Sequence, residues 1–229
     1  ETMVNRKITF SRNNFLNVAN EDNVALINID QTFVVQYEDR DSLVEFLNSC
    51  HPISSNLERN TVQNQMQVAD LATLQKYFFY FWSKRDERNP EQAWYDYQKE
   101  VNFVNRAYGT RIKKGYQTDR GRVYLQYGAP NTIVQRYNPV NVLPYEIWHY
   151  HRAGNFSDKR FLFFSPHMVA ECFRLLHSDM LGEIQNQDWL TVLRNRENSL
   201  RVTESQINSS NPRDNYTREE PEDLFFNPR

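Results

Sequence analysis

The spacing of apolar positions changes along this 229-residue chain, and the changes divide it into elements. Up to about residue 38 apolar and polar residues alternate in places, as in Ile8-Thr9-Phe10 and Val24-Ala25-Leu26-Ile27-Asn28-Ile29. The run Thr32-Phe33-Val34-Val35-Gln36-Tyr37 is β-branched and aromatic. This texture predicts two or three short strands with Asn/Asp turns. Asp41 and Ser42 then precede Leu43, Val44, Phe46 and Leu47, a short capped helix ending near Cys50 and Pro52.

Helical spacing takes over next. Leu71, Leu74, Phe78 and Phe81 make one apolar stripe, which predicts a helix from about Thr61 to Lys84. A second helix is well punctuated. Asn89 caps it, Pro90 suits its first position, Glu91 favours the positive end of its dipole and Gly109 closes it. Within it Trp94, Tyr97, Val101, Val104 and Tyr108 alternate steps of three and four. Such a stripe packs a core or lines a ligand pocket, and core packing is the commoner use. The short loop between the two helices predicts an antiparallel hairpin.

The sixteen residues from Gly115 to Pro130 hold the strongest local pattern. Tyr116 is an aromatic anchor, Thr118 and Asp119 suit a helix start, and Val123, Tyr124 and Tyr127 share a helical face. Gly128 admits a positive φ after the last turn, and Pro130 forbids continuation. The competing reading is a strand carrying Val123, Leu125 and Tyr127 on one side; Gly121 is awkward for either. The stop chemistry at both ends favours the helix.

After Pro130 the period shortens to that of strands. Thr132–Arg136, Tyr145–His151, Arg160–Phe164 and Val169–His177 predict an antiparallel meander, with a last helix around Asp188 to Arg196. The fold class is α+β: an antiparallel meander packed against a long helical hairpin and a short signature helix, with extra N-terminal strands. Three stretches follow: a β-rich segment 1–52, an α+β domain 53–197, and an extended tail 198–229. The tail is poor in aliphatics and reads as disordered by composition. Its apolar cluster Leu224-Phe225-Phe226 is the predicted anchor, on its own domain or on a partner.

Charge and chemistry add little to this picture, and what they remove is informative. The net charge of −2 gives no electrostatic case for nucleic acid. Six glycines are too few to suggest phosphate-cradling loops in general, and no apolar run reaches the length of a membrane span. No apolar stretch follows Glu1–Lys7, so no signal peptide is read there. Cys50 and Cys172 are distant in sequence, and one long-range bridge between them is conceivable but unsupported.

His149 and His151 lie two apart on a predicted strand, so both rings point to one face, a spacing that permits metal ligation. A third ligand would come from His167 or His177; a solvated or partner-facing surface is the commoner outcome. Trp148 and Tyr150 point the other way, into the core. Cys172 and His177 are five apart, on opposite faces of a strand, which disfavours a thiolate–imidazolium pair. Arg85 and Asp86 suggest an ion pair. Arg120 and Arg122 suit a carboxylate, with Glu146 as an intramolecular mate. No catalytic, cofactor or metal residue is assigned.

Several ordered blocks resemble the GWxTD domain family, found mainly in exported proteins of Bacteroidetes and related bacteria. They are Phe81-Trp82-Ser83-Lys84-Arg85-Asp86 with Asn89-Pro90, Gly115-Tyr116-Gln117-Thr118-Asp119-Arg120-Gly121-Arg122, Tyr127-Gly128-Ala129-Pro130, the segment around Trp148, and Leu175 to Ile184. Tyr116 stands where the name-giving Trp is expected. The resemblance covers roughly residues 40 to 196. It implies an exported periplasmic or outer-membrane-associated protein, often a lipoprotein or part of a larger chain, and it carries over no activity; the chain is expected not to be an enzyme. A looser likeness, a helix ending in Gly-x-Pro followed by the Trp148-His149-Tyr150 strand, is to small scaffold lipoproteins of the outer-membrane β-barrel assembly machine. The expected function is a non-catalytic envelope scaffold that binds other envelope proteins. Its signature residues are Trp82, Arg85, Asp86, Gly115, Tyr116, Thr118, Asp119, Gly121, Arg122, Gly128, Pro130 and Trp148. Leu224, Phe225 and Phe226 are its expected partner-binding residues. The alternatives are a metal-assisted hydrolase using His149 and His151, or a glycan-binding module built on surplus Trp and Tyr.

Overall fold

A computed structural model describes residues 28–139, 142–166, 172–194 and 220–228. The described chain is α+β, with seven α-helices and one four-stranded antiparallel sheet. It divides into two compact units. Of the described residues, the first holds 28–109, Lys113–Gln117 and Gly121–Gln126; the second holds Thr110–Ile112, Thr118–Arg120 and those from Tyr127 onward.

The first unit is helical. Helix α1 spans Arg40–Ser49, and Asp39 caps it by accepting the Ser42 N–H at 2.9 Å. Helix α2 spans Asn56–Val68, α3 spans Leu71–Ser83 and α4 spans Pro90–Tyr108. The single helix expected from Thr61 to Lys84 is therefore two. Asp70 takes an extended backbone and accepts the Thr73 N–H at 3.0 Å, so it starts a new helix. A short carboxylate side chain does this in preference to sitting inside a helix. Arg40 donates to the Met66 carbonyl at 2.6 Å, satisfying one of the acceptors left open where α2 stops. Asp70→Ala should lower stability by about 1 kcal/mol, the usual value of a lost N-cap, measured by urea unfolding.

The punctuation of α4 is as its sequence indicates: Asn89 accepts the Gln92 N–H at 3.1 Å and Pro90 is the first helical residue. Gly109 ends the helix, as expected, and does so by close approach. Its φ is −65°, and a Cβ there would overlap the Asn105 carbonyl oxygen. The apolar stripes of α3 and α4 meet in a core of rings. Trp94 and Phe78 centroids are 4.9 Å apart and Trp82 and Tyr97 5.4 Å, and all four side chains are buried. Two polar tips are satisfied inside it: Trp94 Nε1 donates to the Tyr37 hydroxyl at 2.8 Å, and the Tyr97 hydroxyl donates to the Ser49 carbonyl at 2.7 Å.

The N-terminal β-rich segment needs correction where it is described. Phe33–Gln36 is a 3-10 turn, with Val34 buried and Phe33 tilted against Phe78 and Phe79. β-branched residues fill core space equally well from a turn when tertiary packing decides. The other expected N-terminal strands lie wholly or mostly outside the described residues. The proposed boundary at residue 52 runs through one continuous core, because Leu43, Leu47 and Ile53 bury with Leu74, Phe78 and Trp94.

The second unit is built on the meander. Strand β1 is Thr132–Arg136, β2 Tyr145–Ala153, β3 Phe156–Phe164 and β4 Arg174–Ser178, in that spatial order. β2 and β3 turn at Gly154, whose φ of +61° suits a residue without a Cβ. The alternation of β2 separates two faces. Tyr145 and Ile147 join Val134, Leu162 and Leu176 in one cluster, which Trp189 and Leu193 of α6 (Trp189–Arg194) and Leu224 and Phe225 of α7 (Pro221–Phe226) complete. The opposite face carries Glu146, Trp148 and Tyr150, all buried.

Candidate functional site

The signature helix α5 spans Asp119–Tyr127, in agreement with the helical reading. Asp119, Arg120 and Tyr127 belong to the second unit and Gly121–Gln126 to the first.

In the second unit the organising group is Glu146. Its side chain is 2% exposed, and it accepts three hydrogen bonds. Arg120 Nη1 donates to Oε1 at 2.8 Å, the Tyr137 hydroxyl to Oε1 at 2.6 Å, and Trp148 Nε1 to Oε2 at 3.0 Å. The Arg120 guanidinium also sits 4.4 Å from the centre of the Phe173 ring. A buried carboxylate persists only when paired and hydrogen-bonded, and these donors meet that need. Asp119 Oδ2 accepts the Leu175 N–H at 2.8 Å, joining the helix start to β4. Tyr127 donates to Glu183 Oε1 at 2.9 Å, and the Tyr150 hydroxyl donates to the Gly128 carbonyl at 2.9 Å. Gly128 has φ +85°, so the residue after the helix turns left-handed as its identity implies.

In the first unit the signature works by close approach. A Cβ at Gly115 would overlap the Val104 carbonyl oxygen, and one at Gly121 would overlap the Gly115 carbonyl oxygen. Tyr116 is 5% exposed, and its N–H donates to Asn105 Oδ1 at 3.3 Å. Burial, and then the Glu45 carboxylate, push its phenol well above the ordinary range. Thr118, just before α5, is buried. Arg122 extends to Gln126 Oε1 at 3.3 Å, and Arg120 bonds Glu146 at 2.8 Å.

Trp82 is fully buried among Phe78, Trp94 and Tyr97. The expected Arg85–Asp86 pair does not form. Asp86 Oδ1 accepts the backbone N–H groups of Arg88 and Asn89, each at 3.0 Å, and shapes the turn into α4. Arg85 pairs with Glu58 at 3.1 Å, donates to the Ile53 and Phe81 carbonyls and lies 3.3 Å from the Phe81 ring centre. Ser55 and Glu58 bond each other's backbone N–H at 3.2 and 2.8 Å, a capping box legible as Ser-x-x-Glu.

Burial raises the pKa of Glu58, and Arg85 together with the Ser55 bonds outweighs it, so the net shift is downward. Its contribution to stability is therefore complete above the ordinary glutamate value of about 4.3 and is lost as pH falls through the lower folded value. Stability measured against pH should drop over that acid window in the native protein and drop less in Glu58→Gln.

In the second unit the histidines lie on the side of β2 opposite Glu146. His149 and His151 project from the same side of β2 with ring centroids 5.0 Å apart. His149 Nε2 lies 2.7 Å from Asp158 Oδ1, and Arg160 holds the same carboxylate through two bonds of 3.0 Å. The hydrogen bond from His149 and the Arg160 charge hold the Asp158 carboxyl below its ordinary range. Asp158 has φ +52°, a left-handed backbone that Asp tolerates better than most residues. His177 does not join the pair. It stacks on Trp189 at 6.0 Å and meets Phe225 at 5.2 Å, and burial lowers its pKa. His167 lies outside the described residues. Among the described residues no third His, Cys, Asp or Glu completes a metal cluster.

Both cysteines are free thiols. Cys172 is exposed and precedes β4, whereas Cys50 is buried in a hollow with Leu47, His51 and Phe81, and burial pushes its thiol far up. A thiol so held is not a nucleophile at neutral pH. Of the expected partner-binding residues, Leu224 and Phe225 are each 2% exposed against Trp189 and Leu193, so the chain covers them itself. Phe226 is 57% exposed.

These features define an α+β protein whose most distinctive residues fix backbone and buried polar groups in place. The model of the GWxTD domain matches residues 16–193, well over half of the chain, and the chain belongs to that family. Gly115-Tyr116-Gln117-Thr118-Asp119 is the name-giving segment, with Tyr in the Trp position. Helix α7 lies beyond the match, yet supplies Leu224 and Phe225 to the core of the second unit. No curated protein and no solved structure matches the chain. No described helix is long and apolar enough to cross a membrane.

Proposed function

We propose that this chain is a non-catalytic, exported module that works as a protein-interaction scaffold in the bacterial cell envelope, within a larger secretion, assembly or surface complex. The observation that supports this reading is the use of the family signature. Arg120 is committed to Glu146, Asp119 to the backbone of β4, and Gly115 and Gly121 to backbone contact. Residues so engaged hold a shape and are not free to react, which suits a recognition module. Other envelope proteins are the proposed partners.

Fractionation of the native host, followed by affinity purification of the full-length protein and mass spectrometry, tests the proposal. The expected result is recovery in the envelope fraction with envelope proteins co-eluting at fixed stoichiometry. Recovery in the cytosol without companions would count against it.

A further inference from the structure

We propose that His149 and His151 form a two-histidine surface site for a borderline divalent cation such as Zn²⁺, Ni²⁺ or Cu²⁺, with Asp158 orienting His149. The inference does not depend on the scaffold reading.

The first support is distance. A metal ~2.1 Å from a ring nitrogen is ~3.2 Å from that ring's centre, so two imidazoles meeting it at a tetrahedral angle have centres ~5.2 Å apart. The observed separation is 5.0 Å, with the rings inclined at 73°. The pair comes from alternate residues of one strand, so β2 holds the spacing without help from a loop.

The second support is the arrangement around His149. Its Nε2 faces Asp158 Oδ1 at 2.7 Å; a carboxylate only accepts, so this contact places a proton on Nε2 and leaves Nδ1 as the nitrogen that would meet a cation. Ligating histidines almost always present this arrangement, one nitrogen to the metal and the other to a carboxylate or carbonyl. Asp158 is itself held by Arg160, whose other nitrogen, Nη1, bonds Asp179 at 3.2 Å. Lys159 Nζ also reaches the Asp179 carbonyl at 3.1 Å, so the two carboxylates are balanced by two cations and the charge around His149 is close to neutral. His151 is exposed, and no hydrogen bond to its ring occurs among the described residues. With two protein ligands the remaining coordination positions belong to water, so the ion exchanges freely and the fold does not depend on it.

Calorimetric titration of the full chain with zinc chloride and with nickel chloride tests the site. One equivalent should bind. His149→Ala and His151→Ala should each weaken binding at least tenfold, and Asp158→Asn by roughly tenfold or more, with the melting temperature of the metal-free protein little changed. The proposal is overturned if the native chain takes up neither ion at millimolar metal. It is equally overturned if the double variant His149→Ala/His151→Ala binds as tightly as the native chain. Undiminished binding by Asp158→Asn would remove the orienting role of that carboxylate.

Discussion

Gly121→Ala is expected to destabilise the protein by about 3 kcal/mol, the upper range for forcing an extra methyl into packed surroundings. Alanine would ordinarily favour a helix over glycine by about 1 kcal/mol, so propensity alone predicts the opposite sign. Geometry decides between them. A Cβ at Gly121 would overlap the Gly115 carbonyl oxygen and stand 2.6 Å from Val104 Cγ1. The obstacle is backbone, which cannot rotate aside as the end of a side chain can. Gly128→Ala is the control. It is a left-handed glycine with open space around it, so it should cost only about 1 kcal/mol, for the positive φ. Urea unfolding of the two variants should rank them in that order. Equal stability of Gly121→Ala and the native chain would refute the close-approach account.

Glu146→Gln should cost about 3–5 kcal/mol, the range seen when one partner of a buried ion pair is removed. Glutamine keeps the shape and an acceptor for Tyr137 or Trp148, so the loss isolates the charge facing Arg120 at 2.8 Å. The melting temperature should fall by about 10 °C for a chain of this length. A surface pair gives a contrast: Lys99 and Asp96 lie one turn apart on α4 with Lys99 mostly exposed, and Lys99→Ala should change stability by less than about 0.5 kcal/mol.

Local signals in the sequence suffice where local physics decides. Asn89-Pro90 marked the start of α4 and Gly128 the end of α5, because caps and left-handed turns are determined by a few neighbouring residues. The spacing of Trp148 and Tyr150 placed both in the core, and both are buried, whereas His149, expected on a solvated or partner-facing surface, has a side chain only 13% exposed. Failures came where distant residues intervene. Asp70 looks like a tolerable interior residue until Arg40 is seen holding the end of α2. Arg85 has a carboxylate next to it in sequence but pairs with Glu58, a helix away. The tail offered three apolar residues as a partner anchor. Two of them close the core of their own unit, because Trp189 and Leu193 need that cover. The candidate site was legible to the same degree: Arg120 and Glu146 were matched in sequence, whereas Tyr137 and Asp158 gave no sign of their roles.

If the start of α5 is architectural, Arg120 and Glu146 must act as one unit. A double-mutant cycle by equilibrium unfolding, with Arg120→Met, Glu146→Gln and both together, measures this directly. The account predicts a coupling energy of roughly 2 kcal/mol, within the range for residues in direct contact. Additive effects, agreeing within about 0.5 kcal/mol, would contradict it.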